Sequence, residues 1–156
     1  MVNIVVERTV NAPIAEVWAS WDDYANIADF HPGLNASYLL DQGQATGVGA
    51  TRQCDFTDGK TFLKERVTGY ETNKRMVIDI FDTNAPIKDA KAVFEFAKLS
   101  ERSTRVTMTM MFTPKMGVIG RMLTPVMKMQ FRKGLSGLLE SNARHVEQAG
   151  SLAAAA

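Results

Sequence analysis

The chain has 156 residues, 46% hydrophobic and 22% charged, with a formal net charge of +1 and a single cysteine, Cys54. That length suits one domain able to bury its own core, and a lone cysteine excludes an internal disulfide and points to a cytosolic protein. The near-neutral balance argues against nucleic-acid binding by bulk charge, and no apolar run reaches the roughly 18 residues of a membrane span.

The opening MVNIVVERTV has no basic n-region and no signal-peptide core, and residues 2–10 alternate around Ile4, Val6 and Val10 as a strand does. Asn11-Ala12-Pro13 then opens a helix, since Asn caps well and proline fits a first turn. It runs from Ile14 to about Ser20. Asp22 or Asp23 caps a second short helix, which ends before His31-Pro32 because proline pushes its predecessor out of the helical region. Residues 35–41, 48–56, 61–71, 75–82, 89–98 and 103–113 read as strands. Between them lie the Gly-rich 43–49, Asp58-Gly59, Asn73 and Asn84-Ala85-Pro86. Asp-Gly between alternating runs is a strong hairpin signal.

From Met116 to about Gln148 the apolar positions Ile119, Met122, Leu123, Val126, Leu135, Leu138, Leu139 and Val146 fall close to helical spacing. Pro125 sits inside this helix, where its missing N–H predicts an unpaired carbonyl and a bend. Residues 150–156 read as a tail beyond a single domain spanning 1–149. The order predicts an α+β fold: a curved antiparallel seven-stranded sheet wrapped around one long C-terminal helix, with two short helices between strands 1 and 2. A curved sheet and one helix need not meet everywhere, and the gap between them is a candidate cavity.

Three stretches carry a family resemblance: VERTVNAPIAEVWASWDDYANIADFHPGL, GVGATRQCDFTDGKTFLKERV and the C-terminal helix. Over residues 2–148 the chain resembles the START-like superfamily (SRPBCC, the birch-pollen-allergen fold), in its polyketide cyclase/dehydrase and lipid-transport branch. W-x-x-W-D-D-Y and F-H-P-G are its most specific local matches. The resemblance implies a helix-grip fold with a deep, mostly apolar pocket between sheet and long helix. Members bind lipids, hormones or polyketides, and some catalyse cyclisation or dehydration, without a universal catalytic set.

A two-residue turn at Asp58-Gly59 sets Cys54 opposite Leu63 and Arg52 opposite Glu65. Alternation then places Arg52, Cys54 and Phe56 on one face with Leu63, Glu65 and Val67. That face carries the apolar residues, so an Arg52–Glu65 pair points inward. Buried charge is costly unless paired and hydrogen-bonded. The pair serves either as a structural ion pair at the cavity rim or as a polar anchor for a ligand carbonyl, hydroxyl or carboxylate. A general acid/base role for Glu65 would follow if burial raised its pKa.

His31, between Phe30 and Pro32, reads as a half-exposed loop histidine bonded to backbone, or as a donor or acid/base at the pocket end. His145 reads as surface. Cys54 fits a small buried hydrophobe better than a nucleophile. Two distant histidines and one cysteine form no ligand cluster, so no metal and no cofactor is expected. GQATGVGA lacks the lysine of a P-loop and reads as a loop.

Seven of the nine methionines fall between 108 and 129. Met108 and Met110 share a face with Val106 and Phe112, and Met122, Val126 and Met129 lie at i, i+4, i+7. With Pro125 they suggest a deformable pocket wall. Arg121, Lys128 and Arg132 form one stripe, joined by Lys133, with no acid between Lys115 and Glu140. This is either a solvated helix face or a membrane-facing element.

The expected function is binding or transport of a small hydrophobic ligand in a cytoplasmic protein. The expected lining is Phe30, His31, Arg52, Cys54, Phe56, Glu65, Phe94, Met108, Met110, Met122, Val126 and Met129. The alternatives are a cyclase/dehydratase-like enzyme using Glu65, Arg52 and His31, and a lipid-transfer module that touches membrane through its basic half-helix. Oligomeric state is left open.

Overall fold

A computed structural model describes residues 1–115 and 117–155. The strands are β1 (Val2–Val10), β2 (Leu34–Leu39), β3 (Thr51–Phe56), β4 (Phe62–Glu71), β5 (Arg75–Thr83), β6 (Ile87–Ser100) and β7 (Ser103–Pro114). The helices are α1 (Ile14–Asp22), a 3-10 helix (Tyr24–Asp29) and α2 (Gly117–Ala155). The sheet order is β1-β7-β6-β5-β4-β3-β2, antiparallel throughout, so β1 and β2 are its two edges. The two short helices cross from one edge to the other. This is the expected α+β helix-grip.

Alternation drives the sheet. In β1 the buried residues Val2, Ile4, Val6 and Val10 face inward, and β7 buries Thr104, Val106, Met108, Met110 and Phe112 on the same side. Register shifts in β2–β3, β4–β5 and β6–β7 bend the sheet, since an unpaired residue kinks its strand. The hairpin register expected from Asp58-Gly59 forms, but the connection is the four residues 57–60 rather than two: the Phe56 amide donates to the Thr61 carbonyl, the Gly59 amide donates back to Phe56 O, and the Thr57 amide turns to Gly33 O. Gly59 takes φ +73, a conformation favourable to glycine, and Asp58 Oδ1 accepts from the Lys60 and Thr61 amides.

Several boundaries differ from the sequence pattern. α1 starts at Ile14, but its cap is Pro13, whose carbonyl accepts the Glu16 and Val17 amides, and no side chain caps it. The Asn11 amide instead donates to Glu147 of α2. The second short helix is 3-10, and the Asp23 carboxylate there accepts from the Asn26 side chain. β3 begins at Thr51 rather than 48, because the glycine-rich stretch before it is turn and bend. Met116, the expected first residue of the long helix, lies outside the described residues. The helix continues past Gln148 to Ala155, through an alanine-rich end with high helix propensity.

α2 is two segments in one. Its second half buries Leu138, Leu139, Asn142, Ala143 and Val146 against the sheet and α1, whereas Gly120 alone is buried before Leu138. Inside, Trp18 stacks edge-on against Tyr70 and Phe96, and Trp21 packs on Phe30 and Phe94. These contacts fasten α1 to the sheet. The unfilled space lies beside them, toward the middle of α2.

Candidate functional site

Between the concave face of the sheet and the middle of α2 lies a cavity of about 510 Å³. Its sheet side is built by inward positions of β3 to β7: Cys54, Phe56, Leu63, Ile80, Ala92, Phe94, Met108 and Met110. Ile27 and Leu34 close one end, and Phe131, Leu135 and Leu138 of α2 form the opposite wall. Pro32, Gln130 and Gly134 also line it yet are exposed. The mouth therefore opens between the 30–34 loop and α2.

The polar groups gather at one place. Arg52 and Glu65 face each other in the β3–β4 ladder, as the turn predicted. Arg52 Nε donates to Glu65 Oε2 at 2.7 Å, and Arg52 NH1 donates to the Tyr24 carbonyl at 3.0 Å. The guanidinium also lies 3.9 Å above the Tyr24 ring. Burial alone would discourage charge on Arg52, but the Glu65 carboxylate holds it protonated. Cys54 Sγ donates to the same Oε2 at 3.7 Å. Glu65 Oε1 has no partner among the described residues, although Glu65 lines the cavity.

The 30–34 loop is tied on both sides. Ser37 Oγ donates to the Ala25 carbonyl and accepts from the Ala28 amide, and the Thr57 amide donates to Gly33 O. Within it, the Gly33 amide donates to His31 Nδ1 at 3.0 Å, which leaves the ring proton on Nε2. A Cβ on Gly33 would lie 3.2 Å from His31 Cε1, so glycine lets the imidazole fold over its own loop. Burial pulls His31 from its ordinary 6.5 down to about 4, against the Glu65 carboxylate. The ring is neutral at physiological pH.

That shift has a consequence for stability. The unfolded chain takes up a proton near pH 6.5 while the folded form resists until about pH 4, so the unfolded state binds more protons within that window. Stability should fall by roughly 3 kcal/mol as pH drops through it. Urea midpoints measured from neutral pH down to about 4 should show His31→Asn losing that share of the acid sensitivity. An identical pH profile for the variant would remove His31 as the cause.

Cys54 is buried, and burial first, then the Glu65 carboxylate, push its thiol well above the usual range. Reactivity belongs to the thiolate. In the folded protein Cys54 should therefore resist iodoacetamide at mildly alkaline pH and react fully in urea. Rapid labelling of the native chain would contradict the burial seen here.

Of the residues singled out in the sequence, the cavity brings together His31, Arg52, Cys54, Phe56, Glu65, Phe94, Met108 and Met110. Phe30 is buried but packs on Trp21 and His145 rather than lining the space. Met122, Val126 and Met129 do not form the wall. They are exposed, because the face that meets the sheet is the one carrying Phe131 and Leu138, about 200° around the helix from Met129 to Phe131. Sequence reasoning missed Tyr24, whose carbonyl and ring hold Arg52, although it closes the W-x-x-W-D-D-Y motif. It also missed Phe131, Gly134 and the inward Ala92, small or single residues with little periodic signal of their own.

Comparison with known proteins places this geometry. The model of the family described as polyketide cyclase/dehydrase and lipid transport matches residues 1–147. The Zhui aromatase/cyclase from Streptomyces sp. R1128 superposes with a TM-score of 0.81 at 13% identity, covering 94% of each chain. A START superfamily protein from Mycobacterium smegmatis gives 0.79 at 15%, over 94% of this chain and 98% of that one. A solution structure from Thermobifida fusca gives 0.71 at 26%, over 95% of each. No protein of curated function matches the chain. Among the described residues no helix is long and apolar enough to cross a membrane.

Proposed function

The chain belongs to the polyketide cyclase/dehydrase and lipid transport family, and we propose that it binds a small hydrophobic molecule in the cavity between sheet and α2. The observation that carries this reading is an apolar space of about 510 Å³ whose one polar end is the buried Arg52–Glu65 pair. Pockets that take small molecules combine apolar walls with a few placed polar groups.

The polar end also narrows the ligand. Arg52 gives Nε to Glu65 and NH1 to Tyr24, and its charge is already balanced by the Glu65 carboxylate. Glu65 Oε1 is an acceptor without a described donor, and a carboxylate beside it would meet like charge. An apolar body ending in a hydroxyl or N–H suits Glu65, and His31 Nε2–H suits a nearby ligand oxygen. The cyclase/dehydratase-like alternative is favoured by one fact: Glu65, Arg52 and His31, its three candidate residues, do line a single cavity. In that case Glu65 accepts a proton rather than only a hydrogen bond.

Native mass spectrometry of protein purified from its source cells tests the reading. We expect a mass excess that disappears on denaturation, and Glu65→Gln should hold the same molecule about ten-fold more weakly. A chain that arrives at its bare mass, and shows no saturable site for an apolar dye such as ANS, would overturn it. Should the identified molecule be transformed, loss of turnover in Glu65→Gln with binding retained would favour the enzyme.

A further inference from the structure

The first half of α2 carries a surface that the cavity does not use. Val118, Ile119, Met122, Leu123, Val126 and Met129 are all exposed, from 43% at Leu123 to 78% at Met122. At about 100° per residue they fall within one sector of roughly 140°, on the side away from Phe131 and Leu138. Arg121, Lys128 and Arg132 run along one edge of this stripe, and Lys133 stands at its end. No acidic residue occurs between Lys115 and Glu140. Arg121, Lys128 and Lys133 pair with no carboxylate among the described residues. Arg132 reaches the Val5 carbonyl at 3.4 Å, which braces the row against β1.

A contiguous apolar stripe of this kind on a folded surface calls for a partner. We propose that this half-helix docks on an anionic membrane surface, with the apolar stripe in the headgroup–acyl boundary and the basic row against lipid phosphates. A helix with an apolar face, basic residues beside it and no acid is built to lie in that plane. A second copy of the chain fits less well. Pairing two such stripes brings two basic rows together with no local acid to neutralise them, whereas an anionic lipid surface supplies the missing charge. Gln130, next to Met129, and Gly134, one turn further along, are exposed at the mouth of the cavity. Docking would therefore set the mouth close to the lipid. The inference concerns the outer face of α2 and stands whatever occupies the cavity.

Co-sedimentation with vesicles tests it, using phosphatidylcholine alone and phosphatidylcholine mixed with phosphatidylserine. Binding should appear on the anionic vesicles at low salt, be at least about ten-fold weaker on the neutral ones, and fall on raising salt. The double variants Arg121→Glu/Lys128→Glu and Met122→Gln/Met129→Gln should each lose it while keeping the wild-type circular dichroism and melting temperature. Their exposed positions allow this. A cavity-filled Ala92→Phe protein should bind the vesicles as well as wild type, which separates this proposal from the cavity reading. No binding to anionic vesicles at low salt would overturn the proposal. A concentration-dependent dimer that Met122→Gln/Met129→Gln abolishes, without vesicle binding, would assign the stripe to a second copy and overturn it equally.

Discussion

Replacing Glu65 by leucine is expected to cost about 3–5 kcal/mol of folding stability, read as a shift of the urea midpoint. The reason is what remains behind. Arg52 is 3% exposed and would keep only the Tyr24 carbonyl and ring as partners. A guanidinium does not escape by losing its proton, so the variant must hold an unpaired charge in an apolar interior or open to hydrate it. Removing both charges is a different experiment. Arg52→Met/Glu65→Leu leaves no orphan and supplies apolar side chains of similar size, and such replacements are often neutral or stabilising. We expect the double variant to recover to within about 1 kcal/mol of wild type while losing the cavity ligand. That combination would show that the pair is kept for what it holds rather than for the fold. A single Glu65→Leu variant as stable as wild type would contradict the burial and pairing described above.

Ala92→Phe is expected to weaken binding of the cavity ligand by at least about ten-fold with little change in stability. Ala92 sits on β6, is buried, pairs with Met110 and faces the empty space. A ring placed there enters a void and gains contacts, and the unbranched Met108 and Met110 beside it can adjust around it. The control is Ala143→Phe on α2. Ala143 is as buried as Ala92 but lies in the docked part of the helix and does not line the cavity. There the added ring must displace neighbours, at about 1–3 kcal/mol or more. Thermal melts of the two variants should therefore diverge. Equal destabilisation of both would mean that the interior beside Ala92 is already filled, and the cavity would be lost with the binding reading.

Much of this site is legible in the amino-acid sequence alone. The Arg52–Glu65 pairing could be read because a turn centred on Asp58-Gly59 sets the hairpin's offset whether two or four residues connect the strands, and the side-chain period in a strand is two. Once the turn was placed, every opposite pair in β3–β4 followed. Face assignment followed as well, since Cys54, Leu63 and Val67 are apolar and their outward neighbours Gln53, Lys64 and Arg66 are not. The helix resisted the same treatment. Around Met122 to Phe131 apolar residues occur on nearly every side, so periodicity grouped Met122, Val126 and Met129 correctly on one face without saying which way that face pointed.

The sequence by itself determined the elements, the meander, the hairpin register and the inward ion pair, because each rests on interactions between residues close along the chain. The tertiary structure decided the rest. The rotation of α2 about its axis is set by Leu138, Leu139, Ala143 and Val146 seating against distant strands and α1, and that rotation turned the expected methionine wall outward. The clamp on Arg52 is completed by Tyr24, 28 residues away. The folded loop placed His31 at the cavity mouth through bonds from Gly33 and Thr57. Apart from the two-residue Gly33–His31 bond, these are long-range contacts, fixed only when sheet, loop and helix close on one another, and no local pattern of residues encodes their direction.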